Sequence, residues 1–230
     1  MGTLLLRLAG PLKAWGYDSK FETRRTGREP TKSGVTGLLA AALGRKRDEA
    51  IDDLLALHFG VRIDKEGELL HDYHTVQMKS GKTYVTHRYY LSDATFLVGF
   101  ESEDEKMLKT LEQALYNPAF PLFLGRRSCV PTLPLVVGVR TLGLIEALRS
   151  EPWQLSPWMQ KKEIKKGHGL LRILTDAAPD EKNIVAVKDF PISFHPESRK
   201  YTYRPVKEQL PVMMDSLLPE ETRHDVMAEL

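Results

Sequence analysis

ATFLVGFESEDEKMLKTLEQALYNP, residues 94–118, joins the most apolar run of the chain to its cleanest helical pattern. Residues 94–100 carry almost nothing but apolar side chains, as a strand covered on both faces does. From Glu103 to Tyr116 the period changes. Met107, Leu108, Leu111 and Leu115 form one stripe, and Glu103, Asp104 and Glu105 sit at the positive end of the helix dipole. Asn117-Pro118 ends the helix, because the residue before a proline is pushed out of helical conformation. Such a strand and helix need further strands and helices beside them.

The flanking residues supply both. Residues 3–9 read as a buried strand closed by Gly10-Pro11. Residues 27–44, GREPTKSGVTGLLAAALG, read as a turn entering a helix from about Ser33 to Leu43. Val35, Leu38, Leu39 and Leu43 share one face of it, Thr31 or Ser33 can cap it, and Gly44 can end it. A second amphipathic helix is expected at about 48–58, then a short strand at 61–64 and a hairpin turn at Lys65–Glu68. Residues 71–93 form two strands about Ser80-Gly81, and residues 135–139 another strand. The order over residues 1–140 is β, α, β, arm, β, α, β. That is a ferredoxin-like (RRM-like) arrangement in an α+β protein, with an inserted β-hairpin. Two regions are expected: 1–142, and a smaller, irregular, mostly β C-terminal region, 143–230. In the second, strands are plausible at 170–175, 184–188 and 200–206, a short helix at 144–149, and a capped helix within 217–230.

Composition narrows the function classes. Thirty-three Lys and Arg against 31 Asp and Glu give a net charge of +2, so no global basic field announces nucleic acid, and any such binding rests on clustering. The single cysteine, Cys129, excludes an internal disulfide and any CxxC motif. The apolar run at the N-terminus is too short for a membrane span or signal peptide, and a cytoplasmic protein without membrane partners is expected.

The cations do cluster. The connection 11–33 carries Trp15, Tyr17 and Phe21 among Lys13, Lys20, Arg24, Arg25, Arg28 and Lys32, a mixture suited to stacking on bases while pairing with phosphates. Trp15 can equally pack the loop onto the core. Arg24, Arg25, Arg28, Lys32 and Ser33 approach the expected helix start, where free N–H groups favour an anion; a capped helix with solvated charges is the plainer alternative. Lys79 and Lys82 flank the hairpin tip, with His74, His87 and Arg88 nearer its base. Gly125-Arg126-Arg127-Ser128 forms a second phosphate-sized site, unless the arginines pair with acidic groups of the fold.

Other chemistries fit less well. GREPTKSG has Lys-Ser before a helix like a Walker A loop, but Thr31 stands where a glycine must precede the lysine and Pro30 removes a donor. His71 and His74 lie three apart in a strand and so face opposite ways, and no carboxylate cluster completes a metal set. No cofactor is expected.

Five segments taken together, LRLAGPLKAWG (6–16), GREPTKSGVTGLLAAALG (27–44), DYHTV (72–76), YYLSDATFLVGF (89–100) and PLFLGRRSCVPTLPL (121–135), resemble the CasD-type subunits of type I-E CRISPR Cascade complexes, which are RAMP proteins. The resemblance covers most of residues 4–138 and is poor beyond about 145. It implies a RAMP domain with a thumb at about His74–Arg88 and a glycine-rich loop at Leu124–Ser128. It also implies a non-catalytic crRNA-binding subunit that caps the 5′ handle of the guide RNA. Its partners would be the adjacent backbone subunit and the large subunit, with target DNA reached only through the complex. Type I-C relatives are metal-independent endoribonucleases that process repeat RNA. Here His74, His87, Tyr73 and Lys79 or Lys82 offer acid–base chemistry of that kind. A scaffold that only bridges proteins is the third class.

Overall fold

The computed structural model describes residues 1–16, 22–78, 81, 83–195 and 197–214. In chain order the elements are β1 (Gly2–Ala9), β2 (Leu12–Lys13), β3 (Thr23–Arg24), α1 (Lys32–Ala42), α2 (Asp52–Leu55), β4 (His58–Lys65), β5 (Glu68–Gln77), β6 (Thr83–Ser92), β7 (Thr95–Ser102), α3 (Glu105–Tyr116), β8 (Val136–Arg140), α4 (Leu144–Ser150), α5 (Pro157–Lys165), β9 (Leu170–Asp176), β10 (Ile184–Ser193) and β11 (Lys200–Met213).

Alternation along the strands builds two cores. In β1, Leu4, Leu6 and Leu8 point to one face and join Phe59, Val61 and Ile63 of β4 and Phe96, Val98 and Phe100 of β7. Against them lie Val35, Leu38 and Leu39 of α1 and the stripe Leu108, Leu111 and Leu115 of α3. On the opposite face Leu5, Leu97 and Ile173 meet Leu144, Ala147 and Leu148 of α4. Each fully buried leucine or phenylalanine contributes roughly 1.5–3 kcal/mol, which fixes the register of each strand.

The main sheet runs β10-β11-β9-β4-β7-β1-β8. Its segment β4-β7-β1-β8 is antiparallel throughout, and with α1 and α3 it forms the ferredoxin-like unit of an α+β fold. Past residue 142 the chain extends this same sheet, because β9 pairs with β4. A second sheet holds the arm: β5 pairs with all ten residues of β6, from Glu68↔Ser92 to Gln77↔Thr83, and β2 and β3 pair β6 near its base. Every β5 residue except Asp72 is exposed, as are Thr83–Val85 of β6, so the outer part of the hairpin projects into solvent while Tyr90 and Leu91 are buried at its base.

Several elements differ from expectation. The helix expected at 48–58 is one turn, α2, because from His58 onward Phe59, Val61 and Ile63 impose a period of two. Lys65–Glu68 is not a hairpin turn. It carries the chain from the main sheet to the arm, and β4 and β5 do not pair. The arm is longer than 74–88. A helix that was not expected, α5, starts at Pro157, a residue suited to the first helical position, and carries Lys161, Lys162 and Lys165. The expected helix within 217–230, and Tyr17, Lys20, Phe21, Lys79 and Lys82, lie outside the described residues.

Thr31 caps α1, its hydroxyl accepting from Gly34 N at 3.2 Å. The rest of the helix start is satisfied from within the fold. Lys32 N donates to Asp189 Oδ2 at 2.8 Å, and Lys32 Nζ, 3% exposed as a residue, donates to Leu57 O at 2.9 Å and to Asp176 Oδ2 at 2.8 Å. Arg204 completes the group, reaching both Asp189 oxygens at 2.9 and 2.7 Å and Asp176 Oδ1 at 2.5 Å. Two cations and two carboxylates thus close an internal network. The anion that the helix start attracts is Asp189.

Lys13 is also fully buried, with one hydrogen bond, Nζ to Gly10 O at 2.6 Å. Burial pushes its ammonium down from 10.5 to about 8, with Asp93 offsetting part of the cost. Between those values the unfolded chain holds a proton that the folded chain has released, so this residue makes stability rise with pH across the window. Below pH 8 the whole penalty is present. The stability gap between wild type and Lys13→Met should therefore move in favour of wild type by on the order of 2 kcal/mol from pH 7 to pH 10. Urea unfolding of both proteins at the two pH values measures this, and an unchanged gap contradicts it.

Candidate nucleic-acid interface

The base of the arm meets two loops. Residues two apart on β6, Arg88 and Tyr90, share a face. Thr23–Arg24 pair in parallel with His87–Arg88, which brings the loop before α1 alongside β6. The third wall is the loop Leu124–Ser128. Leu124 N donates to Cys129 O at 2.7 Å and Cys129 N to Arg126 O at 2.8 Å, closing a tight turn; Ala14 N donates to Leu124 O at 3.1 Å and fastens it to the core. Gly125 has φ +88, and a Cβ there would lie 1.8 Å from Ala14 O, so only glycine fits.

Tyr90 is the hub. The Arg126 guanidinium lies 4.7 Å from its ring centroid, and Arg126 Nη2 donates to Arg24 O at 2.8 Å. Burial acts to raise the Tyr90 pKa, but hydrogen bonding with Ser128, Arg126 and Arg88 outweighs it and holds the phenol below its ordinary value. Arg126 Nη1 and Arg88 Nε are buried with no hydrogen-bond partner among the described residues. Buried cationic donors left open are costly unless a ligand takes them. Arg24, Arg25 and Arg127 are exposed around the hub. Arg88, Arg126, Gly125 and Ser128 are therefore assembled as one basic site, with the Arg24 backbone held against it and the exposed Arg24, Arg25 and Arg127 side chains at its rim.

Other residues expected in the site lie elsewhere. Lys32 is corrected to an internal ion-pair residue, as described above. Ser33 is half-buried at the first turn of α1, 3.5 Å from the Thr31 hydroxyl. Trp15 is 1% exposed, and its ring lies over Gly34 at the helix start, so it packs the core and offers no free face for a base. Arg28 sits beside Gly67, in a polar hollow with Glu29, Glu66 and Arg172.

The histidines separate. His74 shares the Arg88 face of the hairpin and lies 2.6 Å from Asp72 Oδ2. His87 is on the other face, its Nδ1 2.9 Å from His71 Nε2, with His71 stacked on Tyr89 at 4.5 Å. The imidazoles that meet are thus His71 and His87, not His74 and His87. Tyr90 and His71 were missed as site residues; the signal was the pairing of residue 71 with 89, readable only once the register is known.

Comparison with known proteins places the chain in a family. A family model described as "CRISPR-associated protein (Cas_Cas5)" matches residues 3–207. The Escherichia coli (strain K12) protein "CRISPR system Cascade subunit CasD" is 41% identical over 157 residues, 59% of this chain and 70% of that protein. A solved structure described as "Crystal structure of Cas protein" superposes with a TM-score of 0.72 at 39% identity, covering 95% of this chain and 98% of the other. A chain of a structure described as "CRISPR RNA-guided surveillance complex" gives a TM-score of 0.76 at 29% identity, covering 99% and 97%. On the span of the family match, and on the ferredoxin-like sheet that carries it, the chain belongs to the CRISPR-associated Cas5 family.

Proposed function

We propose that the chain is a crRNA-binding subunit of a cytoplasmic type I-E CRISPR Cascade complex. In this reading it caps the 5′ handle of the guide RNA without cleaving it, and contacts the adjacent backbone subunit and the large subunit. The observation that carries the reading is the meeting of Arg88 and Arg126 at Tyr90, beneath a projecting hairpin, with Arg126 bonded to the Arg24 carbonyl and two buried guanidinium nitrogens open. Strands that hook through such a site gain phosphate contacts on several sides, while the Tyr90 ring, buried beneath Arg126, anchors the arginines. The 41% identity to a Cascade subunit of Escherichia coli supports the assignment to that type of complex.

Binding to a 5′-handle RNA should weaken roughly ten- to a hundredfold in Arg126→Ala/Arg127→Ala, since charge-assisted bonds to phosphate are lost. The slope of log affinity against log salt should fall by about 1.4, two phosphate contacts on a single strand. Fluorescence anisotropy across a salt series measures both, and unchanged affinity assigns the loop a structural role only.

Cleavage is the weaker reading, because His74 and His87 stand on opposite faces of the arm. Incubation with repeat RNA in EDTA should leave it intact. Specific cutting abolished by His71→Ala or His87→Ala would reverse this assignment.

A further inference from the structure

We infer that the outer ribbon of the main sheet, β10–β11, is a second surface for single-stranded nucleic acid, separate from the site around Tyr90. The register sorts its side chains. Arg204 and Val206 are buried toward the α1 side, so Tyr201 and Tyr203 stand on the opposite face. They are 40% and 62% exposed, and Lys188 Nζ lies 5.9 Å from the Tyr203 ring centroid. The helix of that face, α4, covers β4, β7 and β1 and reaches β11 at Leu210, whose carbonyl accepts from Arg149 Nη2 at 2.7 Å, and at Val212, toward the end of the strand away from Tyr201 and Tyr203.

Two tyrosines two apart on a strand stand roughly 6.7 Å from each other, a spacing that lets successive bases of an extended strand lie on successive rings. The charge around them suits a polyanion. Internal pairs take Asp189, Arg204, Glu181 and Lys207. Among the described residues from 180 to 207, the charges left exposed are Lys182, Lys188, Arg199 and Lys200 against Asp180 and Glu197, four cations to two carboxylates. An apolar protein partner would leave those cations without counter-charges, whereas a phosphate backbone supplies them.

The test uses the full chain with labelled U20 RNA and dT20 DNA, both in the wild-type background and with Arg126→Ala/Arg127→Ala, so that the loop site does not mask the ribbon. Tyr201→Ala/Tyr203→Ala should lower oligonucleotide affinity about tenfold or more, whereas Tyr201→Phe/Tyr203→Phe should keep it. Cross-linking of 4-thiouridine or 4-thiothymidine oligonucleotides should mark the peptide containing residues 200–204, and the stronger of the two arms identifies RNA or DNA as the occupant. Thermal unfolding should be the same for all variants. Unchanged affinity of the alanine variant in both backgrounds overturns the inference, as does a variant that binds both oligonucleotides normally but fails to join its partner subunits.

Discussion

Arg204→Ala should lower the unfolding free energy by about 3–5 kcal/mol, the cost of leaving a buried carboxylate without its partner. Asp189 is 2% exposed and loses both of its bonds from Arg204; of its two cationic partners Asp176 keeps only Lys32. The damage spreads beyond one pair. The Asp189 carboxylate also accepts from Lys32 N, so the α1 start depends on how that carboxylate is held. Asp176 accepts in addition from Phe59 N, tying β9 to β4. Burial by itself would depress the guanidinium pKa, but the two carboxylates more than offset this and hold it above its usual value. For a chain of 230 residues the loss corresponds to a fall in Tm of roughly 10 °C. Arg47→Ala, an exposed arginine, should change Tm by no more than about 1–2 °C. Scanning calorimetry of the two variants checks the comparison, and equal melting temperatures contradict the role given to the network.

Gly125→Ala should cost both stability and RNA affinity. A Cβ 1.8 Å from the Ala14 carbonyl oxygen is far inside any real contact, and its neighbours there are backbone, which cannot turn aside as a side chain can. The loop Leu124–Ser128 must then move away from Ala14, taking Arg126 off Tyr90. Gly81→Ala provides the control, since φ there is +79 and the added Cβ meets no atom of the described residues within 4 Å. It should cost only about 1 kcal/mol of backbone strain. Gly125→Ala should cost clearly more, roughly 3 kcal/mol. Its affinity for the 5′-handle RNA should fall at least as far as that of Arg126→Ala/Arg127→Ala. Anisotropy and denaturant unfolding measure the two effects, and wild-type behaviour in both would show the loop to be free of the core.

How far the sequence could be read depended on the range of the forces involved. The strand at β7, the helix α3 and a hydroxyl cap on α1 were legible because their signals are local: apolar runs, a 3.6-residue stripe, Thr31 and Ser33 at the helix start, of which the fold uses Thr31. The ferredoxin-like order followed from those pieces. Lys32 could not be read, because its carboxylate partners lie 144 and 157 residues away, and nothing near it distinguishes a phosphate ligand from one arm of an internal ion pair. The start of β4 was ambiguous because Ile51, Leu54 and Leu55 suit a helix while Phe59, Val61 and Ile63 suit a strand, and sheet pairing decides where one gives way to the other. The basic loops before α1 and after α3 were visible as clusters. Their meeting at Tyr90 was not, since three segments from 24 to 128 have to fold before that ring becomes their common neighbour. The histidines show the same limit: composition offered three near the hairpin, and only the register assigned His71 and His87 to one face and His74 to the other.

Photo-cross-linking with mass-spectrometric mapping tests the central claim most directly. The full chain is bound to a guide RNA made from its host's own CRISPR repeat, with 4-thiouridine placed through the 5′ handle. Cross-linked peptides containing Tyr90 and residues 124–128 are expected, both lost when Gly125 is changed to Ala. A handle that cross-links to neither segment, in a complex that still forms at wild-type affinity, would contradict that claim.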